Sequence, residues 1–194
     1  MNTKRFTIGI DPDVTVLSMC ILDSENRPWV ISCNTSRKTN KMDSTHRVLY
    51  AINQIQEMAR EVFTVQDKIG LGLWDAYIED QYISRHSRAN PQDLILLSKI
   101  AGAWAMAMVY HNVDIHLVAP VTWKGNCPKS IKQCRVLKGL GIEYEMMGKK
   151  DVYPVPLERR AIVPNMFDVP NKGDFKDIND SIGLAAYGRN KWTR

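Results

Sequence analysis

One stretch near the N-terminus organises the chain, because an apolar run there leads directly into an acid: Phe6-Thr7-Ile8-Gly9-Ile10-Asp11-Pro12-Asp13. Its apolar residues recur with period two, which predicts a β-strand, and Pro12 cannot continue the hydrogen-bonded ladder. Asp11 is therefore predicted to lie at the end of a strand, with a side chain that the ladder does not use.

Acids occupy comparable positions in two other places. Residues 74–80 form a second apolar run that ends in Glu79 and Asp80. Residues 174–180 open a helix in which Asp177 and Asp180 are three residues apart and so share one face. We interpret the rest of the chain as a scaffold that brings these three places together.

The predicted order of elements is three strands, then a helix, a strand, a helix, a strand, a basic helix and a last helix. Their predicted positions are residues 6–11, about 15–22, about 28–33, 43 or 44 onwards, about 73–79, 90 or 91 onwards, 114–118, 130–140 and about 174 onwards. This order predicts an α/β fold with a mixed five-stranded sheet, in which a three-strand antiparallel meander is joined by two parallel strands, with helices on both faces. The first and fourth strands would be neighbours, which would place Asp11 beside Glu79.

Composition limits the class of protein. The 194 residues suit one domain, and the proline-containing residues 142–173 are predicted to be an insertion within it. The net charge of +5 favours a polyanionic partner. The four cysteines form no CxxC pair, which indicates reduced thiols in an intracellular protein and argues against a zinc site. No apolar run is expected to approach the roughly 20 residues that span a bilayer, so no membrane partner is predicted.

The four acids together predict a metal centre. Asp11, Glu79, Asp177 and Asp180 could not all stay ionised at close range without cations, and carboxylate oxygens suit Mg²⁺ or Mn²⁺. Two such ions, about 4 Å apart, are a common device for the attack of water on a phosphodiester. Each acid alone could be a turn cap, a helix N-terminal acid or a solvated strand end. The prediction of a metal site depends on all four acids occurring together.

The motifs around these acids resemble those of the RuvC family of Holliday junction resolvases, in the RNase H-like superfamily. The motifs that carry the resemblance are Ile8–Pro12, Tyr77–Tyr82, Val118–Pro120 followed by Lys124, and Asp177–Ala186. The resemblance implies a single RNase H-like nuclease domain and a homodimer that binds four-way DNA junctions and nicks two strands symmetrically with Mg²⁺.

The resemblance also implies roles for individual residues. It places Asp11, Glu79, Asp177 and Asp180 as ligands of two Mg²⁺ ions, for which Mn²⁺ would substitute. Lys124 matches a catalytic basic residue near the scissile phosphate. Tyr82 matches an aromatic residue that enters the junction centre, where a stacked base contributes about 1–3 kcal/mol; its ordinary reading is a partly buried tyrosine.

The chain departs from the family pattern at two points. Asp13 stands where the family usually has glycine, which leaves the turn geometry open and would add charge near the metals. Residues 142–173 have no counterpart in the family. A compact, diverged chain of this kind resembles the versions carried by bacteriophages, which would place it in the cytoplasm of a bacterial host.

The loop after the second acid is basic. Arg85 and Arg88 are predicted to contact the phosphates that flank the cut, because phosphate neutralisation supplies much of the affinity for DNA. The alternative is an ordinary solvated loop. The alanine-rich helix that begins at Pro91 and ends near Tyr110 is expected to help form the dimer surface.

Three alternative functions make different demands on the sequence. A nucleotide-binding protein of the same superfamily needs a Gly/Ser/Thr-rich hairpin after the first acid, but residues 13–16 read Asp-Val-Thr-Val, which argues against it. A non-catalytic DNA-junction-binding protein would have no evident reason to collect four acids. A nuclease with the same mechanism and another substrate, such as branched or flap DNA or an RNA–DNA hybrid, stays open.

Overall fold

The computed structural model describes residues 5–35, 41–69, 73–80, 90–125, 127–147, 151–154 and 175–190. Within these ranges the chain forms strands and helices in the following order: β1 (Arg5–Asp11), β2 (Val16–Leu22), β3 (Pro28–Asn34), α1 (Ser44–Ile69), β4 (Leu73–Glu79), α2 (Pro91–Tyr110), β5 (Asp114–Val118), α3 (Pro120–Lys124), α4 (Lys129–Gly139), β6 (Tyr144–Met147), β7 (Asp151–Pro154) and α5 (Phe175–Gly188).

The central sheet has the strand order β3-β2-β1-β4-β5. The first three strands pair antiparallel, whereas β4 pairs parallel with both β1 and β5. The predicted α/β fold with a mixed five-stranded sheet is therefore confirmed, and β1 and β4 are neighbours as expected. Ile10 lies opposite Ile78, so the next residues, Asp11 and Glu79, end adjacent parallel strands at the same edge of the sheet.

Side chains alternate between the two faces of β1, and each face is covered by helices. On one face, Ile8 and Ile10 belong to a buried core with α1 and α2, in which Ile55 and Trp104 are fully buried. On the other face lies α5, whose apolar residues pack with Cys20 and Leu22 of β2 and with α4. Asp11 shares the α5 side with Thr7 and Gly9, which fixes the direction in which the acid points.

Local sequence signals locate most helix starts. The side chain of Asn90 accepts a hydrogen bond from the Gln92 backbone N at 3.0 Å, and Pro91 occupies the first turn of α2, as predicted. Helix α1 begins at Ser44, also as predicted. Apolar residues at three- and four-residue spacing, among them Val48, Leu49 and Ile52, predict one buried face of this helix. The prediction is wrong at one position, because Leu49 is 54% exposed while Val48 beside it is buried.

The predicted insertion contains regular structure in the part that the structure describes. Strands β6 and β7 pair antiparallel and form a second, two-stranded sheet. Residues 155–173 lie outside the described ranges. The assignment of the whole chain to one domain with an insertion stays a prediction.

Helix α2 is the most apolar helix in the described part of the chain. Its 20 residues are long and apolar enough to cross a membrane by length and composition alone, although Asp93 and Lys99 interrupt the apolar sequence. In this fold, however, Ile100, Trp104 and Met108 are fully buried in the core beneath it. The helix is thus one layer of the sheet-and-helix architecture, and the absence of a membrane partner stays a prediction.

Candidate active site

The candidate site begins with two acids at adjacent strand ends. Asp11 ends β1, and Glu79, which is 5% exposed, ends β4. Because the two strands are parallel neighbours in register, both carboxylates emerge at one edge of the sheet, as the sequence predicted.

A close approach between α5 and β1 brings in the other two acids. A Cβ added to Gly9 would collide with the carbonyl oxygen of Ser181 and the backbone N of Ala185, so only glycine lets the helix lie directly on the strand. The Ser18 hydroxyl donates to the carbonyl oxygen of Asp177 at 3.2 Å and ties the first turn of α5 to β2. Asp177 and Asp180 thereby lie over the edge of the sheet at which β1 ends with Asp11.

Burial and neighbouring acids both disfavour negative charge on Asp11. Burial raises the pKa of Asp11 well above its usual range, and repulsion from Glu79, Asp180 and Asp177 raises it further, against the attraction of Lys124. The four predicted acids therefore interact electrostatically at one place. Their specific roles as metal ligands stay a prediction.

Lys124 lies between two of these acids. Its Nζ is 2.7 Å from Glu79 Oε2 and 3.2 Å from Asp180 Oδ2, at the end of the short helix α3 that follows β5. Burial opposes the charge of this ammonium, but attraction to Asp180, Glu79 and Asp11 raises the pKa of Lys124 above its usual value. A charged lysine therefore lies among these acids, and its predicted catalytic role stays a prediction.

Sequence reasoning missed Lys129. Its Nζ lies 3.0 Å from the same Asp180 Oδ2, at the first residue of α4. Although burial opposes it, the attraction of Lys124, Lys129 and Lys132 lowers the pKa of Asp180. A signal was present, since Lys129 continues the three-residue spacing of basic residues that runs through positions 132, 135 and 138.

Trp123 was also missed. Its side chain is fully buried, and its Nε1 donates a hydrogen bond to Glu79 Oε2 at 2.8 Å. The ammonium groups of Lys124 and Lys132 lie 4.8 Å and 4.7 Å from the centroid of its ring. Lys132, predicted as part of a basic helix, is only 3% exposed, and burial lowers its pKa to about 8.

Asp13 does not disturb the turn after β1. Its Oδ1 accepts hydrogen bonds from the backbone N and the hydroxyl of Thr15 and, at 3.3 Å, from the backbone N of Val16. Residues other than glycine have positive φ only at Asn26, Asn112 and Asn190 among those described, so this turn needs no glycine at position 13. The Asp13 carboxylate therefore accepts hydrogen bonds within its own loop, as aspartate commonly does in turns.

The donor set suits a hard divalent cation in its chemistry. Asp180 Oδ1 is buried and has no hydrogen-bond partner in the described part of the chain, and carboxylate oxygens are the ligands that Mg²⁺ and Mn²⁺ prefer. Within the same ranges, no three Asp, Glu, His or Cys side chains are yet arranged to hold a metal ion. The ammonium groups of Lys124 and Lys129 supply the compensating charge in this arrangement.

The predicted DNA-contacting residues Tyr82, Arg85 and Arg88 fall in residues 81–89, outside the described ranges. Their positions and roles stay predictions.

Together, the strand order, the mixed pairing and the helix laid across β1 define an α/β protein with the RNase H-like fold. Two solved structures share it over nearly the whole chain. RuvC from Thermus thermophilus in complex with a Holliday junction substrate is 14% identical with a TM-score of 0.56, covering 95% of this chain and 96% of that one. A second structure of Thermus thermophilus RuvC is 14% identical with a TM-score of 0.52, covering 96% and 97%.

Neither a protein-family model nor a curated protein sequence matches the chain. At 14% identity, the likeness to RuvC concerns the fold.

Proposed function

We propose that this chain is a divalent-metal-dependent endodeoxyribonuclease that nicks four-way (Holliday) DNA junctions. The observation that carries the proposal is the meeting of Asp11, Glu79 and Asp180 with Lys124 at one edge of the sheet. Burying several acids together costs stability, so a site that keeps them needs a functional reason. The substrate is supported by the similarity of fold to a RuvC that binds a Holliday junction.

In the proposed mechanism the four acids, Asp11, Glu79, Asp177 and Asp180, hold two Mg²⁺ ions, for which Mn²⁺ substitutes. Such ions, when bound, lower the pKa of the attacking water and stabilise the leaving 3′ oxygen. The chain's own part is to fix the acids on rigid elements, since both strand ends and α5 are anchored by the core. The ammonium of Lys124, which lies between Glu79 and Asp180, would contact the scissile phosphate.

We propose that the residues outside the described ranges complete the DNA interface. Tyr82 would stack on unpaired bases at the junction centre, and Arg85 and Arg88 would neutralise flanking phosphates. Changing both arginines to alanine should weaken junction binding and reduce its salt dependence. Unchanged binding at two salt concentrations would exclude this loop from the interface.

A homodimer is proposed because a four-way junction offers two equivalent strands to cut. Helix α2 exposes a set of large apolar side chains, which are Ile95, Met106, Val109 and Tyr110. Met106 and Tyr110 also line a groove of about 920 Å³ between α1 and α2, together with Ile52, Ala103 and Ala107, among others. A second copy of the chain would cover this surface. Monomeric behaviour in light scattering at micromolar concentration would contradict it.

The decisive experiment on substrate compares a labelled four-way junction with matched linear duplex, flap and RNA–DNA hybrid, all with Mg²⁺. Wild type, Glu79→Gln and the exposed-acid control Glu57→Gln would be run in parallel. We expect paired symmetric nicks in the junction with wild type and Glu57→Gln and none with Glu79→Gln. Glu79-dependent cutting of another substrate would replace the junction by that substrate. Tight junction binding without any cutting would favour a non-catalytic binder.

The proposed cellular setting follows from the sequence alone. We infer an intracellular protein of the type that bacteriophages carry. Such a protein would act in the cytoplasm of a bacterial host.

A further inference from the structure

Glu79 receives two hydrogen-bond donors of different kinds on the same oxygen. Trp123 Nε1 lies 2.8 Å from Oε2, and Lys124 Nζ lies 2.7 Å from it. The lysine is a cation, so any divalent cation that binds the acids will repel it. The indole N–H is neutral and can keep its hydrogen bond whether or not a metal is present.

The indole ring is held in one orientation. A Cβ added to Gly183 of α5 would lie 2.5 Å from the edge of the Trp123 ring, so this glycine makes room for it. Val118 at the end of β5 and Leu184 of α5 are buried in the same cluster as the ring. With these neighbours on the ring, its N–H is directed at the carboxylate of Glu79.

The two other buried indoles in the described ranges, those of Trp74 and Trp104, do not share this arrangement. The Nε1 atoms of Trp74 and Trp104 are buried and have no hydrogen-bond partner in the described part of the chain. Trp104 is fully buried, like Trp123, but it lies in the core beneath α2. The contact between Trp123 and Glu79 is therefore a particular feature of the site and not a general consequence of burying tryptophan.

We infer that Trp123 is a positioning residue for Glu79, holding Oε2 so that the carboxylate keeps one orientation toward a divalent cation. The inference rests on the proposed function, because it assigns Glu79 as a metal ligand. Hydrogen-bonding partners of metal ligands typically change metal affinity or activity by about 10- to 100-fold when they are removed.

The test compares Trp123→Phe with Trp104→Phe, which removes a similar indole from the core but no contact to an acid. Binding of Mn²⁺ without DNA would be measured by water-proton relaxation, alongside thermal unfolding. We expect Trp123→Phe to weaken Mn²⁺ binding about 10- to 100-fold and Trp104→Phe to leave it at the wild-type value. Equal Mn²⁺ affinity in wild type, Trp123→Phe and Trp104→Phe would overturn the positioning role.

A second measurement does not depend on a tryptophan variant that folds. In ¹H–¹⁵N spectra of the wild type, the Trp123 indole resonance should shift when Glu79 is changed to Gln and again when Mg²⁺ is added to the wild type. A resonance that responds to neither change would contradict the inference. If wild type binds no Mn²⁺ in a Glu79-dependent way, the proposed function fails and the inference fails with it; if wild type binds and Trp123→Phe binds equally, only the inference fails.

Discussion

The two ends of the central sheet treat buried acids in opposite ways. At one end, burial and neighbouring acids raise the pKa of Asp11. At the other end lies Asp75 of β4, which is buried. The pKa of Asp75 is nevertheless lowered, because Arg5 Nε lies 2.7 Å from its Oδ2 and His116 Nε2 lies 3.4 Å from its Oδ1. Both acids belong to strands of one sheet, so burial alone does not decide their state. Asp75 is paired with cationic side chains, whereas Asp11 is surrounded by other acids, which is the arrangement expected of the proposed metal site.

The end of the sheet that contains Asp75 has further paired acids. Asp23, which is buried, accepts hydrogen bonds from Arg27 at 2.7 Å and from backbone N–H groups; these lower its pKa although burial opposes the charge. The Arg189 guanidinium donates to the backbone carbonyl oxygens of Arg5, Leu22 and Asp23. At this end the acids are paired with arginine side chains, whereas at the other end Asp11 is repelled by neighbouring acids.

The sharpest test of this comparison exchanges each acid for its amide. Asp11→Asn should reduce junction cleavage by about 1000-fold, because losing a metal ligand removes several kcal/mol of transition-state stabilisation. Asp75→Asn should leave cleavage nearly intact and instead lower the free energy of unfolding, by about 1–3 kcal/mol for a weakened buried hydrogen-bonding group. Cleavage rates and urea unfolding would be measured on both variants. Similar cleavage losses in the two would erase the distinction between the ends.

The next test breaks the contact that places the acids of α5. Gly9→Ala should lower the free energy of unfolding by about 1–3 kcal/mol, because the added methyl group meets the backbone of α5. It should also reduce cleavage by displacing Asp180. The control is Gly102→Ala in α2, where an added Cβ has nothing within 4 Å and alanine favours the helix by about 0.5–1 kcal/mol. Equal stability of the two variants would show that α5 does not depend on Gly9.

The smallest expected effect is on stability as a function of pH without added metal. Because the pKa of Asp11 is raised in the folded protein, its favourable contribution to the free energy of unfolding is fully present below its ordinary pKa of 3.8. This contribution is lost as the pH rises through the pKa that Asp11 has in the folded protein. The Asp11→Asn variant should therefore gain stability relative to wild type as the pH rises from 3.8 toward neutrality.

Asp75 should behave in the opposite way. Because the pKa of Asp75 is lowered in the folded protein, its favourable contribution to the free energy of unfolding is present above pH 3.8. This contribution is lost as the pH falls through the pKa that Asp75 has in the folded protein. Asp75→Asn should thus be less stable than wild type near neutrality, with the difference shrinking in acid. Urea unfolding across this range would measure both, and parallel profiles for the two variants would contradict the assigned shifts.

The fold could largely be predicted because it depends on local patterns. Period-two apolar runs that end in acid located β1 and β4, and the Asn90-Pro91 cap located α2. The neighbouring position of β1 and β4 followed from the order of strands, and with it the pair of Asp11 and Glu79.

The contact of Trp123 and the burial of Lys132 depend on tertiary packing that no local pattern encodes. Trp123 can occupy its position because Gly183 of a distant helix makes room for the ring. Lys132 was predicted only as part of a basic helix, and it is buried over that ring. Leu49 looked like part of a buried face, yet it is exposed beside Val48.

The most direct test of the central claim is anomalous diffraction from crystals soaked with Mn²⁺. If the edge formed by Asp11, Glu79 and Asp180 is the catalytic metal centre, anomalous peaks should appear among these carboxylates, and Lys124 Nζ should move away from Glu79 Oε2. Peaks located elsewhere, or no peak with Lys124 still in contact with Glu79, would contradict the account.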